Sequence, residues 1–136
     1  MKYTGIALLL TVLIFCFGCK KDEGETAFDL LTGPVWASDS LLVNSENAGG
    51  PGGLLEGFQG DAKFNTDMTG TFGMFTGTWQ FASNETQLVI TTEALLIPLT
   101  ANIDELNKTD LKLETIFPDP ENNGQTLSIR LTFKAK

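Results

Sequence analysis

The ten residues Thr126-Leu-Ser-Ile-Arg-Leu-Thr-Phe-Lys-Ala135 decide the fold class of this chain. Apolar and polar side chains alternate along the whole stretch, with Leu127, Ile129, Leu131 and Phe133 sharing one parity. Successive side chains of a β-strand project to opposite faces, so a period of two indicates a strand with one buried and one solvated face. The stretch therefore predicts a strand of an antiparallel sheet.

The same alternation recurs upstream, which predicts further strands. The predicted strands cover residues 35–43, 62–65, 69–81, 87–92, 95–103 and 110–117. In a continuous strand over residues 69–81, Phe75 and Phe81 would point to one face and Phe72 to the other. A bulge or a strand break is therefore predicted near Gly73.

The connections between these segments are rich in turn-forming residues, as in residues 65–70 and 119–124. Short connections pair neighbouring strands as antiparallel hairpins. Pro98 cannot donate to a ladder, so its strand lies at an edge or bends there. We predict an all-β domain, a single antiparallel up-and-down barrel of about seven or eight strands, with a two-sheet β-sandwich as the alternative.

Two segments depart from the strand pattern. Residues 25–32 allow one or two helical turns before Gly33-Pro34 stops them. Residues 44–60 carry five glycines before Phe58 and are typical of a mobile loop. The apolar side chains of Leu54, Leu55 and Phe58 either form a lid over a barrel mouth or tuck onto the edge of the core; we favour the second.

The N-terminal residues are typical of a targeting signal. Lys2 precedes the uncharged residues 5–18, a run shorter than the roughly 20 residues that a bilayer-spanning helix needs. The pair Gly18-Cys19, at an abrupt change to polar sequence, resembles the lipobox of bacterial lipoproteins. An ordinary secretory peptide followed by a free cysteine is the alternative.

The lipobox resemblance implies a signal peptide over residues 1–18, acyl chains on Cys19 and a polar tether over residues 19–27. Stable attachment to a membrane takes more than one acyl chain, a condition that a triacylated cysteine satisfies. Residues 20–23, Lys-Lys-Asp-Glu, resemble the signal that sends some Gram-negative lipoproteins to the cell surface. The resemblance implies an outer-membrane protein that is surface-exposed, or periplasm-facing as the alternative.

Composition narrows the classes of function. The net charge of −8 provides no basic stripe for nucleic acid. The chain has no histidine, the commonest general base and metal ligand, and its two cysteines, Cys16 and Cys19, precede the folded part. We predict no catalytic residues, no metal and no cofactor.

Two groups of carboxylates deserve separate interpretations. Asp104 and Glu105 are adjacent in a polar stretch, which favours a solvated turn over a catalytic pair. Residues 119–123 supply oxygen ligands without the regular spacing of a calcium loop, so an ordinary turn is again favoured.

Five aromatic residues are predicted to face the interior: Trp36, Phe64, Phe75, Trp79 and Phe81. An eight-stranded barrel either fills its interior with side chains or holds one small ligand. These five residues are therefore either core packing or the lining of a ligand site.

The order of motifs along the chain resembles a known family. Leu31-Thr-Gly33 precedes Trp36, Gly77-Thr-Trp79-Gln-Phe81 follows, and residues 127–133 form the last strand. Over residues 28–134 the chain resembles the lipocalin-like domains of small Gram-negative lipoproteins. That resemblance implies an eight-stranded barrel domain over residues 28–136.

The resemblance further implies that the barrel binds a small apolar or amphipathic molecule. The alternative is a non-enzymatic surface module that contacts a protein or a glycan and has a filled core. An internal cavity of about 300 Å³ or more, lined by the five aromatic residues, would favour ligand binding.

Overall fold

The computed structural model describes residues 25–136, so the predicted signal peptide (residues 1–18), Cys19 and most of the tether lie outside it. The elements are α1 (Ala27–Thr32), β1 (Trp36–Val43), β2 (Glu46–Asn47), a 3₁₀ turn (Glu56–Phe58), β3 (Asp61–Phe64), β4 (Thr69–Phe72), β5 (Phe75–Ala82), β6 (Gln87–Thr92), β7 (Leu99–Leu106), β8 (Asp110–Pro118) and β9 (Thr126–Ala135). No helix in residues 25–136 has the length and apolar character that crossing a membrane would require.

Eight of the strands form a closed barrel. β1 and β3 to β9 are neighbours in chain order, each pair is antiparallel, and β1 also pairs with β9. That closing ladder runs from Trp36 opposite Ala135 to Val43 opposite Ile129, with a register shift at Asp39. The short strand β2 pairs only with the end of β1. The predicted antiparallel up-and-down barrel is confirmed, and the sandwich alternative does not apply because the sheet is single and closed.

Strand β9 shows the alternation that its sequence predicts. Leu127, Ile129, Leu131 and Phe133 are buried, and the residues between them are exposed or half-buried. The buried parity faces the barrel interior, where it packs with the inward residues of the other strands. Burial of one side-chain parity therefore fixes the register of the sheet.

The break predicted near Gly73 is confirmed, because a tight turn separates β4 from β5. Gly73 has φ +61°, and a Cβ there would lie 2.3 Å from the carbonyl oxygen of Gly57. Only glycine combines this backbone conformation with so close an approach.

The strand predicted over residues 95–103 is displaced towards the C-terminus. β7 begins at Leu99, because Pro98 has no N–H to donate and restricts the residue before it. It continues to Leu106, so the interpretation of Asp104 and Glu105 as a turn is wrong. Both carboxylates lie on β7 near a register shift. The carboxylate of Asp104 lies 3.7 Å from the guanidinium of Arg130, and that of Glu105 lies 2.8 Å from the ammonium of Lys112.

Helix α1 closes one end of the barrel, which we call the α1 end. Thr26 and Asp29 form a capping box that starts the helix. Leu31 is fully buried, and its carbonyl oxygen accepts a 3.0 Å hydrogen bond from the indole nitrogen of Trp36. Phe28 packs on Trp79, with ring centroids 5.8 Å apart. The helix is thus fixed to the core by packing and by a buried hydrogen bond.

A charged contact joins β8 and β9 near the α1 end, and it gives a pH-dependent prediction. Hydrogen bonds from the Lys134 ammonium and the Thr109 hydroxyl lower the pKa of Asp110 below its ordinary value of 3.8. A carboxylate whose pKa is lower in the folded than in the unfolded state stabilises the folded state, and the full effect is present above about pH 3.8. This stabilisation is lost as the pH falls through the folded-state pKa of the carboxylate. Asp110→Asn should therefore flatten the acid limb of a plot of melting temperature against pH below about pH 4.

Glu114→Gln, an exposed site on the same strand, is the matched control for this measurement. Thermal unfolding at a series of pH values should give Glu114→Gln an acid limb like that of the wild type. If the Asp110→Asn limb is as steep as that of the wild type, the contact does not contribute in the way we describe.

Candidate functional site

A large apolar cavity lies at the end of the barrel opposite α1, which we call the mouth. Its volume is about 430 Å³, within the range of small-molecule sites. Its walls are formed mainly by apolar side chains, including Leu54, Leu55, Phe58, Phe75, Leu95, Ile97, Phe117 and Ile129. They come from residues 54–58, the start of β5, the β6–β7 connection and the ends of β8 and β9 that meet there.

The first wall belongs to the glycine-rich segment, residues 44–60. Two backbone hydrogen bonds attach it to the barrel: the amide of Ala48 donates to the carbonyl oxygen of Leu41 at 2.8 Å, and the amide of Met74 donates to that of Gly57 at 2.9 Å. A third, from the amide of Leu55 to the carbonyl oxygen of Ala48 at 2.8 Å, holds the segment together internally. The segment is therefore folded over the mouth, although its composition is typical of a mobile loop. Leu55 is buried in the core and Phe58 packs partly against it, and both also border the cavity, whereas Leu54 is exposed at the opening. Whether these side chains act as a lid stays a prediction.

The second wall is the β6–β7 connection. Residues 94–97 are Ala-Leu-Leu-Ile, and all four line the cavity. Leu96 is fully exposed and Ile97 is 47% exposed. Leu54 and Met74 are also exposed near the opening, so the cavity has an apolar rim as well as apolar walls. Exposed apolar groups that are grouped in this way are typical of binding surfaces.

Phe58 forms the floor of the cavity. Its ring also borders two small voids deeper in the barrel, of about 30 and 20 Å³. Leu99 and Leu131 border both voids, and below them the interior is filled by packed side chains. A ligand of the cavity would therefore lie in the mouth and not along the barrel axis.

The structure places the five predicted aromatic residues in two regions. Trp36, Phe64 and Trp79 are at most 2% exposed and lie in the core beneath α1. Trp79 packs edge-on against Phe64 at 5.7 Å and against Phe81 at 5.4 Å. Of the five, only Phe75 lines the mouth cavity. Whether any of them contacts a ligand stays a prediction, and the positions of the other four, Trp36, Phe64, Trp79 and Phe81, favour core packing.

Several cavity residues were not singled out from the sequence, above all Leu95, Ile97, Phe117 and Ile129. Residues 94–97 did carry a signal, because four successive apolar residues directly before Pro98 make a poor strand of an antiparallel sheet. Phe117 and Ile129 have the same alternating pattern as core residues, so only their height in the barrel distinguishes them.

The charged group in the wall is Asp119, at the start of the β8–β9 connection. Its carboxylate accepts hydrogen bonds from the side-chain amide of Asn122 at 2.9 Å and from the amide of Glu121 at 2.8 Å. These bonds lower the pKa of Asp119, so the carboxylate stays ionised well into acid. The carboxylate thus organises a turn and places a negative charge at the opening.

Comparison with protein-family models finds no match to this chain, and comparison with curated proteins finds no significant match. One fold hosts many functions, so only the chemistry of the cavity bears on the function of this chain.

Phe58→Ala should join the cavity to the two deeper voids, because the ring of Phe58 borders all three spaces. The ring is half-buried, so we expect the free energy of unfolding to fall by about 2 kcal/mol, less than for a fully buried ring. Ligands with longer alkyl chains should gain affinity relative to the wild type. Titration with a homologous series of alcohols would measure this; the same preferred chain length in both proteins would contradict it.

Proposed function

We propose that this protein is a membrane-anchored lipoprotein with a lipocalin-like barrel, and that its mouth cavity binds a small apolar or amphipathic molecule. The observation that carries the proposal is the cavity of about 430 Å³ with apolar walls, at the end of the barrel that α1 does not close. Apolar concavities with a few polar groups at the edge are the common form of small-molecule sites.

The proposed role is binding and not catalysis. Within residues 25–136, Asp119 is the one ionisable side chain that lines the cavity. Nucleophilic catalysis needs a nucleophile beside a base, and the predominantly aliphatic and aromatic walls are suited instead to holding an alkyl or ring group by burial.

A surface interaction module is the second candidate, and the apolar rim favours it. Leu54, Met74, Leu96 and Ile97 expose large side chains around the opening. A partner that buried this rim would gain roughly 25 cal/mol for each Å² of apolar surface. Unlike a cavity ligand, such a partner would not need the space behind Phe58 and Phe117.

The proposed anchor lies at the other pole of the domain. Five residues lie between Cys19 and Glu25, and a fully extended chain over these six Cα-to-Cα steps reaches at most about 20 Å. Glu25 lies 3.8 Å from Lys108 in the β7–β8 turn, which belongs to the α1 end. We therefore propose that the acyl chains hold the α1 end towards the bilayer and leave the mouth facing away.

Methyl NMR would test binding in the cavity. The sample is the full chain in nanodiscs of zwitterionic lipid, with isotope-labelled Ile and Leu methyl groups, titrated with decanol as a neutral amphiphile. We expect saturable shifts at Ile97, Ile129 and Leu55, and none at Leu31 and Leu111, which are fully buried. Shifts without saturation, or shifts that are equal at both sets of residues, would indicate partition into lipid and would overturn the proposal.

The anchor is tested separately. Mass spectrometry of the protein from its native membranes should find Cys19 as the first residue and carrying acyl chains. Cys19→Ser should release the protein from the membrane fraction. An unmodified Cys19, or a mature N-terminus elsewhere, would overturn the lipoprotein part while leaving the cavity part untouched.

A further inference from the structure

We propose that the mouth cavity selects amphiphiles with a cationic head group, such as long-chain amines, over anionic amphiphiles such as fatty acids. The inference rests on the proposed ligand-binding function and adds the class of ligand. The cavity itself is the site, and the charges around it determine which head group it accepts.

The segments that border the opening carry only negative charge. Residues 44–60, 93–98 and 118–125 contain five carboxylates and neither lysine nor arginine. The carboxylates are those of Glu46, Glu56, Glu93, Asp119 and Glu121. An anionic head group at the opening would therefore meet segments that carry negative charge and no lysine or arginine.

Two of these carboxylates are placed to meet a head group. Asp119 lines the main cavity and also a neighbouring recess of about 300 Å³, whose lining includes Glu121. Leu54 borders both spaces as well, so the recess opens beside the rim. An alkyl chain in the apolar cavity would thus leave its head group within reach of both acids.

The cations of the barrel are held elsewhere. None of the six lysine and arginine residues within residues 25–136 lines the cavity or the recess. Five are paired with carboxylates, as Lys108–Glu25, Lys112–Glu105, Arg130–Asp104, Lys134–Asp110 and Lys136–Asp61. The sixth, Lys63, donates to backbone carbonyl oxygens of residues 32–34 behind α1. Among residues 25–136, no lysine or arginine therefore borders the spaces in which the head group of an anionic ligand would lie.

The hydrogen bonds of Asp119 leave capacity for a ligand. Each carboxylate oxygen accepts one bond, from the Glu121 amide or from the Asn122 side chain, and a carboxylate offers about four acceptor positions in all. An ammonium group at the opening could therefore bind without breaking the turn. An ammonium ion 4 Å from a carboxylate in surroundings between water and protein gains enough to change affinity about tenfold.

The experiment compares decylammonium with decanoate, which share one chain and differ in the sign of the head group. Both are titrated into the full chain in zwitterionic nanodiscs, with empty nanodiscs subtracted, and the methyl groups of Ile97 and Ile129 are observed. At low salt and pH 7 we expect decylammonium to bind about tenfold more tightly than decanoate. The difference should shrink as salt screens the exposed carboxylates.

The double variant Asp119→Asn, Glu121→Gln should reduce the ratio of the two affinities to about twofold. The matched control is the double variant Glu85→Gln, Glu114→Gln, which removes two exposed carboxylates outside the cavity lining and should keep the wild-type ratio. Thermal unfolding of each variant confirms that the barrel is folded.

The outcomes separate the two proposals. If neither amphiphile nor decanol gives saturable shifts, the ligand-binding function itself fails. If decanol binds, but decylammonium and decanoate bind equally or decanoate binds more tightly, the cavity function stands and the charge selection is overturned. An unchanged ratio in the Asp119→Asn, Glu121→Gln variant would also overturn it.

Discussion

Trp36→Ala should lower the free energy of unfolding by about 4 kcal/mol, because it removes a fully buried indole. The side chain packs beneath α1, and its nitrogen donates to the Leu31 carbonyl. The substitution leaves both a cavity and an unpaired buried acceptor, so two costs add. Since small domains have stabilities of about 5–15 kcal/mol, much of the total would be lost. Chemical denaturation followed by far-UV circular dichroism measures the effect.

Trp36→Phe separates the two contributions. It keeps most of the ring packing and removes only the hydrogen bond to Leu31, so the expected loss is about 1–2 kcal/mol. If Trp36→Ala costs no more than Trp36→Phe, packing of the indole does not hold the α1 end together. Ligand affinity at the mouth should change little in Trp36→Phe, because Trp36 does not line the cavity.

Gly77→Ala should destabilise the barrel by about 3 kcal/mol or more, through a steric conflict within the sheet. Gly77 lies in the middle of three strands, opposite Gly70 on β4 and Thr92 on β6. A Cβ at Gly77 would lie 2.0 Å from the carbonyl oxygen of Thr91, a backbone atom that cannot move alone. The added methyl group should therefore force β5 and β6 apart.

Gly50→Ala is the matched control. A Cβ at Gly50 would meet nothing closer than the side chain of Asn47 at 3.8 Å. The free energy of unfolding should then change by no more than about 0.5 kcal/mol. Equal midpoints of denaturation for the two variants would show that the close approach of β6 to Gly77 does not make an alanine there destabilising.

The sequence predicts the barrel well because its strands have one dry face each. Period-two alternation in β9 and β8 is strong enough to determine both element type and buried face. A change in which alternate residues are apolar is a purely local signal, and it predicts the interruption of the strand near Gly73. The predicted start of β7 at residue 95 was wrong, because Pro98 keeps the apolar residues 95–97 out of the strand, which begins at Leu99.

The position of the cavity was much harder to predict. Alternation indicates which residues point inward, but it does not indicate their height along the barrel axis. Trp79 and Phe117 both point inward, yet one packs under α1 and the other lines the cavity. That difference depends on which end α1 closes and on how residues 44–60 fold across the mouth. Both are long-range properties that no local pattern contains.

Because α1 and the cavity lie at opposite ends of the barrel, the route by which a ligand would reach the cavity is restricted. If the proposed anchor on Cys19 holds the α1 end towards a bilayer, that bilayer would adjoin the closed end of the barrel, and molecules leaving it would not pass directly into the opening. A ligand would instead reach the cavity through water, or from another membrane or a donor protein that faces the opening. The exposed leucine, isoleucine and methionine around the entrance would then be the first surface that such a donor touches.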